Sequence, residues 1–438
     1  MRSENSTKQR KFKQYYINLM SKSKKAMKFD FDYYLRGGFW LTLANVLTVA
    51  LSLLLSVIFA NFTSKTFYGQ YKFALSVFSL LTILALPGMD TAILQSIAKG
   101  YNRFLLEGVR EKLKWSLLSW PIIAIIALYL LIHKNNSLGW AFLLSMPLFT
   151  LGNGFANNAF FMGRKQFRVA ALSIIGQSVL LTSFVAGALF CCQNNIVVVV
   201  TAYLGAQALF KLIVFLAITK LKLKEKPIAQ QDNVRLIAYG KHLTAISVIS
   251  KVADSLDRLL LAYFLGFQGV AIYAIAKVIP EAVKGLHKQI GSLALPRLTA
   301  AEPANVYIKI RAKLLHVLIL GGITSVALML ALPFAIPIIY SAKYEPSIIP
   351  AEILSLSIFL APLNFVLVAA LTSQRKAKEL YCLRLATSGT RILLLSILVP
   401  LAGVSGAALS LLLSRVVNAV YGWYALRKIA SESEEKGE

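Results

Sequence analysis

The sequence predicts an all-α, polytopic membrane protein of about 12 transmembrane helices, in two pseudo-symmetric six-helix bundles around a central cavity. Three observations carry that expectation. Of 438 residues, 57% are hydrophobic and 15% charged, and the mean hydropathy is +0.65, well outside the range of soluble domains. Twelve apolar runs each approach or exceed the roughly 20 residues a spanning helix needs. Basic residues crowd the alternate connections between those runs.

The chain begins with a basic tail, residues 1–36, carrying ten Lys/Arg and no apolar core of a signal peptide. It is expected to stay uncleaved and cytoplasmic. It reads either as a solvated segment or as a headgroup-binding one, through KSKKAMK with Tyr15, Tyr16, Ile17 and Leu19 at the interface.

The runs follow at 38–60, 71–97, 115–132, 139–162, 169–190, 196–219, 238–262, 270–295, 312–332, 348–372, 379–400 and 405–425. Pro87-Gly88 interrupts the second. Asp90 just beyond it either caps a new helix or faces the cavity. The tail, the alternate loops and the C-terminus hold 34 Lys/Arg, whereas the opposite side holds four: Lys65, Lys72, Lys134 and Lys343. That asymmetry places both termini in the cytoplasm of a multi-pass plasma-membrane protein. It also accounts for the net charge of +28 without nucleic acid.

An ungapped shift of 202 residues sets Gly38 on Gly240, Leu41 on Leu243, Thr42 on Thr244, Tyr71 on Tyr273 and Ala74 on Ala276. The expected organisation is a tail (1–36), an N-terminal bundle (37–219), a cytoplasmic linker (220–236), a C-terminal bundle (237–425) and a second tail (426–438). Parallel repeats of this kind place a substrate site between them.

Two neighbouring runs break the apolar pattern. The first holds Lys251, Asp254, Asp257 and Arg258; the second holds Lys277, Glu281, Lys284 and Lys288. At helical spacing the latter four fall within about 60° of one another, a polar stripe. Charge at that depth costs about 2.5–3.5 kcal/mol per group on insertion scales, so the stripe must meet protein or water. The carboxylates could pair with the cations and glue two helices. Alternatively, five cations against three carboxylates leave an excess that suits a cavity for an anionic substrate. The aligned positions of the first half carry no charge: Val49, Ser52, Leu55 and Ser56, then Leu75, Ser79, Thr82 and Leu86.

Arg391 and Arg415 sit in the middle of the last two runs. Arginine stays protonated there and must find an acidic partner, water or a phosphate, whose oxygens its fork of donors fits. Pro280 should kink its helix beside Glu281. Three cysteines and four scattered histidines give neither a disulfide framework nor a metal site. No phosphate-binding glycine loop or nucleophile constellation is present, and the loops are too short for a catalytic domain, so no enzyme and no cofactor is expected.

The stretches GGFWLTLANVLTVALSLLLSVIFANF and YGQYKFALSVFSLLTILALPGMDTAILQSIAKG, with DRLLLAYFLGFQGVAIYAIAK and SAKYEPSIIP of the second half, carry a resemblance. Over about residues 35–425 the chain resembles the polysaccharide repeat-unit (O-antigen type) flippases of the multidrug/oligosaccharidyl-lipid/polysaccharide exporter superfamily. The resemblance implies alternating-access transport of undecaprenyl-diphosphate-linked oligosaccharide for polysaccharide biosynthesis. Partners would then be that lipid, membrane lipids, a polysaccharide polymerase and glycosyltransferases.

Under that reading Lys251, Arg258, Lys277, Lys284, Lys288, Arg391 and Arg415 would hold the diphosphate. Asp254, Asp257 and Glu281 would compensate charge or couple transport to protons or sodium. A cation-coupled multidrug exporter of the same superfamily and a non-transporting scaffold for glycan assembly are the alternatives.

Overall fold

The computed structural model describes residues 38–133, 135–192, 195–221, 230–299, 303–374 and 376–434. The expected tail 1–36 and residues 222–229 of the expected linker lie outside them. The described residues are all-helical. The N-terminal half comprises α1 (Gly38–Phe62), α2 (Lys65–Leu81), α3 (Gly88–Ala98), α4 (Phe104–Ser116), α5 (Ser119–Ile132), α6 (Asn136–Gly154), α7 (Asn157–Gly163), α8 (Phe167–Cys191) and α9 (Ile196–Thr219). The C-terminal half comprises α10 (Gln230–Thr299), α11 (Pro303–Tyr340), α12 (Ile348–Leu356), α13 (Ala361–Ser373) and α14 (Ala377–Glu434).

Local sequence explains where these elements begin and break. Ser64 caps α2 by accepting from the Phe67 N–H at 3.1 Å, so the helix begins at Lys65, six residues before the apolar run. Pro87-Gly88 separates α3 from α2 and the 3-10 turn Thr82–Ala85 that follows it, and the chain bends by 49° at this break. Helix α10 starts at Gln230, inside the expected linker, and α14 runs to Glu434, beyond the expected end of the bundle at 425.

Two of these helices are hairpins. At 70 residues α10 would be about 105 Å long if straight, several bilayer cores. It breaks at Gly266, whose φ of 68° suits only glycine. Asp257 and Lys277, about 30 Å apart in an unbroken helix, are 3.1 Å apart, so the chain folds back on itself there. Helix α14 does the same at Gly403 (φ 56°), which brings Asn418 to 3.2 Å from Thr387. By length and apolarity eight described helices can cross a membrane, or ten with each bent pair as one span. Each hairpin enters those figures as one helix.

Large apolar side chains cover the outside: Ile338, Tyr263 and Leu401 are each 78% exposed or more. Water would not tolerate such a surface, but acyl chains do. Inside, Phe59 stacks on Tyr71 at 4.4 Å and Phe78 on Phe142 at 4.9 Å, fixing α2 within its half.

The halves meet along α10, which packs against α2 and α3 on one side and α13 and α14 on the other. At one end Gly69 lies against the Phe267 backbone, Lys343 Nζ donates to the Thr63 carbonyl at 2.8 Å, and Asn61 donates to the Ile339 carbonyl at 3.0 Å. At the other, basic end, the Gly88 N–H donates to Thr244 Oγ1 at 3.0 Å and Lys241 pairs with Glu111 at 3.3 Å. Both ends are drawn together, and the charged residues lie between them.

Candidate functional site: a charged cavity between the halves

A cavity of about 450 Å³ opens between these two contacts, level with the middle of α1. Val49 and Ser52 of α1 and Lys72 and Ser79 of α2 line one side. The α10 hairpin contributes Asp254, Arg258, Lys277, Glu281 and Lys284, and α14 contributes Arg391 and Leu411.

The hairpin at Gly266 explains why so many charges converge. Folding back places the stripe of the second limb beside the charges of the first. Asp257, with no exposed surface, is the hub. Its Oδ2 accepts from Lys277 Nζ and from Arg391 Nη2, both at 3.1 Å, and its Oδ1 accepts from the Arg258 backbone N–H at 2.8 Å. Arg391 Nη1 also donates to Asp254 at 2.8 Å. A buried carboxylate with three donors is compensated, and removal of any partner would leave charge uncovered.

A second cluster forms on Glu281. Lys284 Nζ lies 2.5 Å from one oxygen and Arg415 Nη2 lies 3.2 Å from the other. Arg415 Nη1 donates to Ser357 Oγ at 2.6 Å, and its own carbonyl accepts from Asn364 at 3.1 Å. This ties α10, α13 and α14 to one point.

Two further cations stand apart. Among the described residues neither Lys72 nor Arg258 has a carboxylate within ion-pair distance. Arg258 Nη1 donates to Ser76 Oγ at 2.9 Å, crossing from the C-terminal to the N-terminal half. Lys72 Nζ faces aromatic rings, 5.2 Å from the Tyr68 centroid and 5.8 Å from that of Tyr71. With these two, six cations face three carboxylates at the site. The site is net positive.

The expected residues therefore divide. Arg258, Lys277, Lys284 and Arg391 line the cavity, as do Asp254 and Glu281. Asp257 and Arg415 lie buried behind it and brace the lining. Lys251 is half-buried, Lys288 is exposed one turn beyond Lys284, and neither lines the cavity. The pairing and the excess of positive charge, alternatives at the level of sequence, coexist.

Lys72 is the residue that sequence reasoning misplaces. As the second residue of the run at 71–97 it is counted with the far-side charges, at the very edge of the span. The Ser64 cap starts the helix two turns earlier and carries Lys72 inward. A serine three residues before Phe67 is the signal that could have found it. Asp90 pairs with buried Lys112 of α4, away from the cavity. No group of three metal-ligating side chains occurs among the described residues.

An all-helical bundle, hinged on glycine hairpins and holding a charged chamber between its halves, has the fold of the transporters of the MOP superfamily. A lipid II flippase, MurJ, in its inward closed conformation superposes with a TM-score of 0.72 at 13% identity, covering 88% of this chain and 87% of that one. An outward-facing multidrug resistance MATE family transporter superposes at 0.58 with 14% identity, covering 91% and 96%. A MOP superfamily transporter from Pyrococcus furiosus, described as having a binding pocket of reversed polarity, gives 0.57 at 14%, covering 90% and 95%. By sequence, the family model for polysaccharide biosynthesis proteins matches residues 34–302. The chain belongs to that polysaccharide biosynthesis protein family. Among curated proteins none matches by sequence.

Proposed function

We propose that this protein is a flippase that carries a lipid-diphosphate-linked oligosaccharide repeat unit across the cytoplasmic membrane. The observation that carries this reading is the net positive chamber at mid-depth between two halves closed at both ends. A diphosphate brings the negative charge such a chamber lacks, the glycan occupies its polar interior, and the prenyl chain stays in lipid. With Lys72 in the chamber, the basic residues of the two sides divide 34 to three, which supports a cytoplasmic location for both termini and for the basic end of the interface. Alternating separation of the two end contacts would expose the chamber first to one leaflet and then to the other. Family membership and the likeness to a lipid II flippase favour a lipid-linked saccharide of polysaccharide biosynthesis.

The multidrug-exporter reading fits less well, because organic cations would meet positive potential. Asp254, Asp257 and Glu281 are each engaged by cations, which supports charge compensation over coupling to a proton or sodium ion. Glycosyltransferases would supply the substrate and a polymerase would consume it on the far side.

The test is depletion in the native cell. Lipid-linked repeat units should accumulate on the cytoplasmic leaflet and surface polymer should fall, with both restored by the wild-type chain. Normal surface polymer without accumulation would refute the reading.

A further inference from the structure

We infer that Lys72 and Arg258, one from each half, form the subsite that holds the phosphate oxygens, and that the other cations of the cavity serve mainly as counter-ions to its carboxylates. The inference rests on the flippase reading and names the residues that make its contact.

The cations of the cavity differ in their partners. Lys277, Arg391, Lys284 and Arg415 each spend donors on Asp257, Asp254 or Glu281 at 2.5–3.2 Å. An incoming phosphate would compete there with carboxylates already in place. The Arg258 guanidinium donates to a neutral hydroxyl, and Lys72 rests against ring faces, which hold a cation without neutralising it. These two charges face the cavity without a carboxylate in ion-pair contact.

They are also neighbours. Ser76 Oγ, which accepts from Arg258, donates to the carbonyl of Lys72 at 2.8 Å, so the guanidinium sits one helical turn from the lysine. A planar fork beside a mobile ammonium suits two linked phosphates: the fork can grip one and the point charge can meet the other. Two such cations at the seam of two halves also repel each other until an anion lies between them. Occupancy would therefore add attraction between the halves at this level, beyond the Arg258–Ser76 bond.

The test is binding by the full-length chain in nanodiscs, read as the thermal unfolding midpoint against added ligand. Undecaprenyl diphosphate and inorganic diphosphate distinguish a lipid-borne from a free source, and phosphatidylglycerol controls for a general anionic headgroup. Undecaprenyl diphosphate should stabilise the wild type. Lys72→Gln and Arg258→Gln should each weaken binding by about tenfold or more, the scale of one charged hydrogen bond. Lys72→Arg should retain it.

Should Lys72→Gln fail to fold, Lys72→Cys provides the second route: aminoethylation of the thiol restores the charge and should restore binding. Affinity within twofold of wild type in both Gln variants would overturn the inference while leaving the flippase reading intact. Stabilisation by phosphatidylglycerol equal to that by undecaprenyl diphosphate would also overturn it. No stabilisation of the wild type by any of the three would overturn this subsite, whereas the flippase reading stands or falls on the depletion experiment.

Discussion

Gly69 of α2 meets the backbone of Phe267 so closely that a Cβ added to it would lie 1.8 Å from the Phe267 carbonyl oxygen. Glycine is what lets the two halves touch at this end. Its counterpart at the basic end is Gly88, whose Cβ would lie 2.4 Å from the Thr244 backbone nitrogen. Neither obstacle is a flexible side chain, so neither can step aside cheaply. Gly69→Ala should hold its own end apart, and Gly88→Ala the other. In a variant with Cys191, Cys192 and Cys382 replaced by serine, Ser79→Cys reports on the cavity. A membrane-impermeant thiol reagent should label it from opposite sides of the membrane in the two glycine variants. Labelling from the same side in both would contradict the assignment of the two contacts.

The hairpin glycines make a separate prediction. Gly266 has a φ of 68°, and a Cβ added there would meet nothing within 4 Å, so Gly266→Ala isolates backbone strain from packing. The expected cost is about 1–3 kcal/mol, the range for a side chain forced into a backbone region that only glycine ordinarily occupies (φ 68°, ψ −172°). Thermal unfolding in detergent measures it. Gly403→Ala adds contact with Leu265 at 3.2 Å to a φ of 56°, and should cost more.

Much of this fold can be read from composition, and part of the site cannot. Apolar runs locate the helices because lipid leaves backbone groups no partner outside the chain. Angular clustering of Lys277, Glu281 and Lys284 locates one face of the cavity, because charge at that depth must turn away from lipid. What one helix cannot state is which limb it will face. Arg391 and Asp254 are 137 residues apart, and their 2.8 Å bond depends on two hairpins folding together. Lys288 shares the angular stripe but lies past the end of the chamber, since periodicity gives direction and not depth. Lys72 escapes for the reverse reason: a helix cap rather than hydropathy sets its depth.

Asp257 should be the least replaceable charge. Asp257→Ala removes the acceptor shared by Lys277 and Arg391, leaving Lys277 without a carboxylate and Arg391 with Asp254 alone in a buried site. A loss of about 3–5 kcal/mol is expected, enough to abolish the folded protein or nearly so. Size-exclusion profiles of a fluorescent fusion would report it as aggregation. Arg391→Ala combined with Asp257→Ala should recover part of that loss. A monodisperse single variant with wild-type thermal stability would contradict the hub.

The Lys241–Glu111 pair is the opposite case. It joins the halves at 3.3 Å, but Lys241 is 38% exposed, so screening limits its value to about 0–1 kcal/mol. Glu111→Gln should leave the folded protein intact and favour separation of the basic end modestly. The effect should shrink in high salt. Thiol labelling of the Ser79→Cys reporter at two ionic strengths checks this, with an equal effect at both counting against an electrostatic latch.

The central claim is that positive charge between the halves is there to receive a phosphorylated lipid carrier. The most direct measurement is translocation of a lipid-diphosphate-linked oligosaccharide in proteoliposomes, followed by its accessibility to an impermeant glycan-cleaving enzyme. The wild-type chain should move the lipid well above the rate of protein-free vesicles, and the Lys72→Gln, Arg258→Gln double variant should fall to that background while remaining folded. Wild-type rates equal to those of empty vesicles, or a folded double variant as fast as wild type, would contradict it.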